Sequence, residues 1–536
     1  MKRRLTVVVA LVLAAVLMLG GCQNIRDTLD RYYQMMQMGS ATAFADMEYV
    51  RPDMSALRKS LDGALEQAQT AEDVDVLMEA VYDLYIRYYD FSTNSSLAQI
   101  HYFLDMTDIY WEKEYGWCME QSAEVSAGMD QLLHILADSP LRAELESGEF
   151  FGEGFFDMYE GDSLWDETFT ALMESESALV DAYYALSAQA ATVEYYSEEY
   201  FSGVGLQIEE VFLELIQVRQ DIAEYAGYES FPEFAYEFYH YRDYTPEQAQ
   251  GYVDQIRTEL APMYRELDDS VWDPMYEACT ESQMLDYVRR CAENMGGVTA
   301  DAFGLMEELK LYDISYSPNK YDASFEVFLI SYYTPFVFVN PMGSTRDQLT
   351  LAHEFGHFCN DYAAGGSGVG VDVAEVFSQG LEYLSLCYCD GTDALTRMKL
   401  ADSLSVFVEQ ALYASFENQV YLLEDPTMED VRALYGEIHE GFGFGDLGRD
   451  YRDYTLVPHF FMSPMYVISY VVSNDGAMQI YAKELESKGA GVKLWEDSLY
   501  SMELGYMAFA EEAGLESPFA EGRVEELRKI FEEKLK

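Results

Sequence analysis

The segment His353-Glu354-Phe355-Gly356-His357 constrains this chain more than any other stretch, because it describes a metal site on one turn of helix. Histidines four residues apart share a helical face, so both imidazoles can reach one ion. Glu354 would then lie beside the metal, where it can hold and deprotonate a zinc-bound water. With only seven histidines in 536 residues, such a pattern arises by chance in about one chain in a hundred. The segment predicts a helix that carries one zinc ion per chain.

The ligands of this metal separate catalytic from structural sites. A catalytic zinc takes three protein ligands and leaves the fourth position to water, whereas structural sites are usually closed by four Cys or His ligands. One known pattern extends the motif to a glycine and a third histidine, but Asn360 and Ala363 stand at those positions. A structural zinc is therefore disfavoured, and an acidic ligand on a following helix becomes the alternative.

The segment 372–382 supplies such a helix. Asp372, Glu375, Ser378 and Glu382 fall on one face at helical spacing. A polar face could simply be solvated, but together with the upstream motif it favours Glu375 as the third ligand. Candidates to orient the histidines, from the side facing away from the metal, are then Asp372, Ser378 and Glu382.

Hydrophobic periodicity predicts a mainly α protein. From Ala41 to about Leu311, apolar residues recur at 3.6-residue spacing with acidic residues between them. The clear strand-like region is Phe325 to Val339, which predicts a small hairpin or sheet beside the motif helix. An extended substrate could add to the edge of the second strand, at Phe336, Val337, Phe338 and Val339. The alternative is that this hairpin only packs.

The first residues predict export. Lys2-Arg3-Arg4 precedes an apolar run that is too short to span a bilayer comfortably. The run ends in Leu19-Gly20-Gly21-Cys22, which resembles the lipobox of bacterial lipoprotein signal peptides. An ordinary signal peptide and an uncleaved anchor are the alternatives. We therefore expect a signal peptide at 1–21, lipid on Cys22, an N-terminal helical region at 22–220 and a catalytic region at 221–536. The protein would be extracytoplasmic and lipid-anchored to the bacterial cell membrane.

Charge limits the partners of the chain. The formal net charge is −63, and such a surface repels nucleic acid. Solubility explains this charge, although steering of cationic peptides is an alternative.

The remaining cysteines are expected to be buried thiols, because Cys387 and Cys389 are two residues apart on a predicted helix and point to different faces.

Several segments together resemble the M3 oligopeptidases, especially their oligoendopeptidase F branch. The resemblance rests on the motif at 353–357, on Ala374-Glu375-Val376-Phe377-Ser378, and on Val457-Pro458-His459-Phe460-Phe461 with Met465-Tyr466-Val467. Weaker similarity lies at 227–231 and 241–246. The resemblance as a whole covers about residues 220 to 480.

This resemblance implies a large helical zincin-type metallopeptidase with a deep central channel that admits short unstructured peptides. It implies that His353, His357 and Glu375 bind zinc and that Glu354 is the general base. It also implies that His459, Tyr466 and Tyr470 contact the scissile carbonyl and its tetrahedral intermediate.

The function expected from these observations is a monomeric, zinc-dependent endopeptidase. Water activated by Glu354 on the zinc would attack the scissile carbonyl of a short peptide. The alternative is a peptide-binding surface lipoprotein with a vestigial zincin fold, and the intact Glu354 argues against it.

Overall fold

The computed structural model describes residues 42–535, except 149, 153, 160–163, 191–192, 195–196, 367, 390 and 446–450. The predicted signal peptide and Cys22 lie outside the described residues. Every helix within the described part of the chain is too short or too polar to cross a bilayer.

The N-terminal half is helical, as its periodicity predicts. Aspartate side chains cap several helices, and Thr245 forms a capping box with Gln248. The helices are α1 (Met54–Thr70), α2 (Val74–Leu104), α3 (Ile109–Ala137), α4 (Arg142–Glu146), α5 (Glu167–Ala190), α6 (Glu198–Ser202), α7 (Val204–Ala226), α8 (Phe231–Phe234), α9 (Pro246–Glu259), α10 (Ala261–Arg265), α11 (Glu281–Met295) and α12 (Gly297–Glu308). Short 3-10 segments occur at Phe44–Asp46, Asp157–Tyr159 and Asp269–Tyr276, and a π-helical turn at Ala235–Tyr239.

A three-stranded sheet precedes the motif helix. It consists of β1 (Tyr312–Asp313), β2 (Ser324–Leu329) and β3 (Thr334–Val339) in the order β1-β3-β2. β2 and β3 are antiparallel and joined by a 3-10 turn, and β1 runs parallel to β3. Phe325 pairs with Phe338 across the hairpin with ring centroids 4.7 Å apart. The predicted hairpin is confirmed.

The C-terminal half returns to helices. They are α13 (Arg346–Ala364), α14 (Val371–Tyr388), α15 (Asp393–Ser405), α16 (Ala411–Val420), α17 (Met428–Gly441), α18 (His459–Met462), α19 (Ile468–Glu486), α20 (Ala490–Ser498), α21 (Tyr506–Ala513) and α22 (Arg523–Lys534). A π-helical turn at Val406–Gln410 joins α15 to α16, and a 3-10 turn at Asp453–Leu456 precedes α18. The predicted fold class, mainly α with a small sheet beside the motif helix, is confirmed.

Two hydrophobic cores lie along the chain, and α2 belongs to both. Leu77 and Leu84 pack in an N-terminal core built with α1 and α3. Leu97 and Ile100, further along the same helix, pack in the main core. Phe212 on α7 also packs in the main core, although it precedes the predicted boundary at 220. The boundary itself stays a prediction.

The cysteines of the described residues are free thiols. Five are buried and one is partly buried, and burial raises the pKa of most of them, that of Cys387 to about 11. They are Cys118, Cys279, Cys291, Cys359, Cys387 and Cys389.

Candidate metal centre

The two histidines of the motif lie on one face of α13. The centroids of the His353 and His357 rings are 5.1 Å apart. Both rings are partly exposed, whereas Glu354 is buried between them. The helix ends at Gly365, whose φ of 84° is readily adopted by glycine alone.

Gly356, inside the motif, lets α14 approach α13. A Cβ atom at this position would lie 2.6 Å from both the Phe377 carbonyl oxygen and Ser378 Cα. Any side chain here would push the two helices apart. The close approach brings Glu375, one turn before Ser378, to the histidines.

The three predicted ligands converge. The nearest ligand atoms of His353, His357 and Glu375 all lie within 4.8 Å of one another. Glu375 Oε2 lies 3.3 Å from His353 Nε2 and 3.9 Å from His357 Nε2. Two imidazole nitrogens and one carboxylate oxygen are the donor set of a catalytic zinc. The residues present therefore fit this metal, and we call α13 and α14 with these side chains the metal wall.

Side chains behind the ligands fix their orientation. His353 Nδ1 lies 3.0 Å from Glu382 Oε1, so its N–H donates there and leaves Nε2 directed at Glu375. Lys399 Nζ contacts the other oxygen of Glu382 at 2.8 Å. Ser378 Oγ donates to Glu375 Oε2 at 2.9 Å. The structure thus brings Glu382 and Ser378 into the supporting positions that the sequence suggests.

Asp372 requires a correction, because its carboxylate is directed to a buried arginine and not to a histidine. Arg242 Nε lies 3.2 Å from Asp372 Oδ2, and the Tyr244 hydroxyl donates to the same oxygen at 2.7 Å. Arg242 also donates to the Met465 carbonyl and to Ser469 Oγ, each at 2.8 Å. Asp372 therefore anchors α14 to the segment after α18.

Charge and burial set the protonation of the ligands. Burial lowers the pKa of His357 to about 4, which favours the neutral imidazole that a metal needs. Burial alone would raise the pKa of Glu375, but its hydrogen bond with His353 and the nearby histidine charges lower it to about 2. Burial opposes protonation of His353 as well, yet Glu375 and Glu382 raise its pKa well above the usual value. The carboxylates that favour a proton on His353 would favour a metal cation at the same place.

The buried Glu354 carboxyl binds its proton more tightly than a solvent-exposed glutamate does. Burial raises its pKa to about 7, against the opposing effect of His353. A general base works best when its pKa lies near the working pH. The arrangement can therefore accept a proton and return it.

A second group faces Glu375 from the other side, and we call segment 459–470 the tyrosine wall. The Tyr466 hydroxyl donates to Glu375 Oε1 at 3.2 Å. Tyr470 Oη lies 3.5 Å from His459 Nε2, and the Tyr466 ring centroid is 5.2 Å from that of Tyr470 and 5.6 Å from that of His459. The three residues implied by the resemblance are thus brought together beside the ligands.

Buried charges that the sequence analysis missed hold this wall. Arg219, which is fully buried, donates to the carbonyl oxygens of Phe460 and Phe461, each at 2.6 Å. Glu417 Oε1 accepts from the Met465 N–H at 2.7 Å. An arginine on the apolar face of α7, at helical spacing from Ile216 and Ile222, was the available signal in a chain with 33 cationic against 96 acidic residues.

The predicted substrate edge is wrong, because β3 is the central strand. Phe336, Val337, Phe338 and Val339 are fully buried, and β3 is paired with β1 on one side and β2 on the other. The outer strands are β1 and β2, and of these β2, at 324–329, is the longer one with an edge that an added strand could pair with. Sequence pattern predicted the strands but not their order.

Two cavities flank the centre. A small cavity of about 220 Å³ is lined by His353, Glu354 and Tyr470, together with Arg346 and Asp402. A large cavity of about 800 Å³ has walls that include Tyr466, His240, Val369 and Met462. The candidate centre therefore lines the small cavity, and the tyrosine wall lines the large one.

Comparisons with known proteins agree with this architecture. Residues 44–164 match the family model described as the Peptidase M3 N-terminal domain. A solved structure assigned as an oligoendopeptidase F superposes with a TM-score of 0.80 at 21% identity, covering 92% of this chain and 99% of that one. PZ peptidase A, solved with an inhibitor, gives 0.80 at 19% identity with coverages of 92% and 99%. A protein from Bacillus anthracis, also assigned as an oligoendopeptidase F, gives 0.77 at 21% with 93% and 98%. No sequence among the curated proteins matches. At these identities the superpositions establish the fold.

Proposed function

We propose that this protein is a zinc-dependent endopeptidase of the M3 oligopeptidase kind that hydrolyses short peptides. The convergence of His353, His357 and Glu375 around Glu354 carries the proposal. The match of residues 44–164 to an M3 N-terminal domain and the shared fold support it.

The metal would be held by the three converging ligands. When bound, zinc polarises the scissile carbonyl and lowers the pKa of water. Glu382 holds the His353 ring so that Nε2 is presented, and Ser378 steadies the Glu375 carboxylate. Tyr466 contacts the other oxygen of Glu375 and so has its hydroxyl at the reacting centre.

Proton transfer falls to Glu354. Its carboxylate takes a proton from the attacking water and passes it to the amine that leaves. The hydroxyls of Tyr466 and Tyr470 and the ring N–H of His459 lie where they can donate to the oxyanion that develops. One such donor stabilises a transition state by about 3 kcal/mol.

The decisive experiment is the variant Glu354→Gln. Metal analysis should find about one zinc per chain in both proteins, because Glu354 is not a ligand. Hydrolysis of a quenched fluorescent peptide should fall by roughly three orders of magnitude, and a chelator should abolish it in the wild type. Glu409→Gln, at a carboxylate that accepts from Tyr264 outside the site, is the matched control. Comparable activity in Glu354→Gln contradicts the mechanism, and peptide binding without cleavage in the wild type favours a vestigial zincin.

The location and partners extend the proposal. The lipobox-like Leu19-Gly20-Gly21-Cys22 supports a chain tethered outside the bacterial membrane by lipid on Cys22. The variant Cys22→Ala should then move from the membrane fraction to the soluble fraction, and a variant that stays bound refutes the anchor.

The substrates would be short unstructured peptides, with nucleic acid excluded. The charge of −63 favours a monomer, which sedimentation can check.

A further inference from the structure

Lys399, on α15, is a buried cation next to the metal wall. Its side chain is only 5% exposed, and Nζ lies 2.8 Å from Glu382 Oε2 and 3.8 Å from Asp402 Oδ2. Burial alone would lower the pKa of Lys399, but Glu382, Tyr383 and Asp402 raise it, so the side chain carries an ammonium. A buried charge is costly unless it is paired. The partner of this ammonium therefore bears on its role.

Glu382 connects the ammonium to a candidate metal ligand. Its Oε1 accepts from His353 Nδ1 at 3.0 Å, and its Oε2 accepts from Lys399. The terminal torsion of a glutamate side chain has a broad energy minimum, so one hydrogen bond alone holds the carboxylate loosely. Two partners, one on each oxygen, fix the rotation of the Glu382 carboxylate. Lys399, Glu382 and His353 thus form a chain of contacts that ends at the metal site.

Asp402 does not draw the ammonium away from Glu382. The distance of 3.8 Å between Lys399 Nζ and Asp402 Oδ2 is too long for a hydrogen bond. The other oxygen of Asp402 lies 3.1 Å from Arg346 Nη2. Because Arg346 balances the charge of Asp402, the short contact of Lys399 is the one with Glu382.

The orientation of Glu382 determines which nitrogen of His353 is available to a metal. A proton on Nδ1 that is donated to Glu382 leaves the lone pair on Nε2. Nε2 lies 3.3 Å from Glu375 Oε2, on the side where the candidate ligands converge. If the Glu382 carboxylate turned, the proton could move to Nε2, and a protonated nitrogen cannot bind a metal.

We propose that Lys399 is a positioning residue of the metal site, which acts on His353 through Glu382. The inference rests on the proposed zinc site and extends its support by one further side chain. Removal of the Lys399 ammonium would leave the buried Glu382 carboxylate with His353 as its remaining side-chain partner among the described contacts. Zinc affinity should then fall although every candidate ligand is still present.

Isothermal titration of the metal-free proteins with zinc tests the inference. In Lys399→Met, zinc should bind roughly tenfold more weakly, at the lower end of the effect of residues that support a ligand. Lys399→Arg keeps a charged donor for Glu382 and should recover most of the affinity. Lys320→Met is the matched control, because Lys320 is equally buried and pairs with Asp313 Oδ1 at 2.7 Å. It should lower the thermal stability without changing zinc affinity.

A double-mutant cycle tests whether Lys399 acts through Glu382. In the Glu382→Gln background, Lys399→Met should change zinc affinity by less than about twofold, because the residue that transmits its effect is already altered. If Lys399→Met does not fold, Lys399→Gln takes its place in the cycle, since its amide still offers Glu382 a donor. An equal loss of affinity with and without Glu382 overturns the inference. The same loss in Lys320→Met overturns it too, because the effect would then be general destabilisation.

Zinc affinity is measured without a peptide, so this inference and the proposed function can fail separately. Weakened zinc binding in Lys399→Met, in a protein whose wild type cleaves no peptide, overturns the peptidase proposal alone. Chelator-sensitive cleavage by the wild type, together with unchanged zinc affinity in Lys399→Met, overturns the role of Lys399 alone.

Discussion

The metal wall and the tyrosine wall face each other across Glu375, yet they are built in different ways. On the metal wall, His353, Glu354 and His357 are placed by the register of one helix, and Gly356 sets the contact with the next. The tyrosine wall consists of a four-residue helix, a turn with Met465 at a φ of 63°, and the first residues of α19. Its shape depends on side chains that are distant in sequence.

This difference separates the placement of the candidate metal ligands from the proposed recognition of the scissile carbonyl. Helical geometry fixes the spacing of His353 and His357, and the close contact at Gly356 brings Glu375 to them. The tyrosine wall requires Arg219, Arg242 and Glu417 to hold its main chain. Damage to one wall should therefore be distinguishable from damage to the other.

Loss of a ligand from the metal wall should have the largest effect. In His357→Ala, zinc affinity should fall by more than about a thousandfold, beyond the roughly 10- to 100-fold typical of a residue that only supports a ligand. Peptide hydrolysis should reach background at limiting zinc. Isothermal titration with zinc measures the loss, and His134→Ala on α3 is the control. Full zinc content in His357→Ala would remove this histidine from the ligand set.

A substitution in the tyrosine wall should lower the catalytic rate without loss of metal. In Tyr466→Phe, kcat should fall by roughly a hundredfold, because one donor to the oxyanion is removed. Zinc content should stay near one per chain, since Ser378 still donates to Glu375. Steady-state kinetics with metal analysis gives both values, with Tyr264→Phe as a control outside the site. A Tyr466→Phe protein that loses zinc would show that the two walls are not independent.

Arg242 contacts both walls, so its substitution should disturb both of them, with a smaller loss of activity than the two changes above. Lysine keeps the charge in Arg242→Lys but cannot reach Asp372, Met465 and Ser469 together. We expect kcat to fall about tenfold with KM nearly unchanged, since roughly 1.4 kcal/mol of transition-state stabilisation is lost. Arg432→Lys, at an arginine that pairs with Glu209 away from the site, controls for general destabilisation. An equal loss of kcat in both variants would mean that Arg242 does not position the reacting groups.

Glu417 should affect stability and its pH dependence. Burial raises its pKa from 4.5 to about 7 in the folded protein, so between these values the folded state binds the proton more tightly than the unfolded state. Stability contributed by this group therefore declines as pH rises from about 4.5 to about 7, by on the order of 3 kcal/mol. Glu417→Gln should remove that decline. Urea unfolding of both proteins at about pH 5 and about pH 8 measures the difference; parallel pH dependence in the two would exclude Glu417 as its source.

The metal wall was predictable from sequence because its information is local. The spacing of His353 and His357 and the polar face around Glu375 follow from helical periodicity alone. Asp372 shares that face, yet it binds Arg242, which lies 130 residues earlier. Periodicity gives the direction of a side chain and not the identity of its distant partner.

Strand order escaped prediction for a similar reason. The β-branched and aromatic runs at 325–339 predict two strands, but the parallel pairing of Tyr312 with Val337 makes the second strand central. β1 has only two residues, too few for a periodic signal. The tyrosine wall was found only through its resemblance to a family, since Tyr466 and Tyr470 are two of 44 tyrosines.

The buried thiols give this protein a practical advantage for measuring motion. A thiol with a raised pKa holds little thiolate at neutral pH and reacts slowly with maleimides and oxidants. Burial of Cys118, Cys291 and Cys359 adds steric protection. A fluorophore pair attached to two introduced cysteines, one on the surface over each core, would therefore label selectively against the native background. The distance between the two cores could then be followed in single molecules while a peptide enters and its fragments leave.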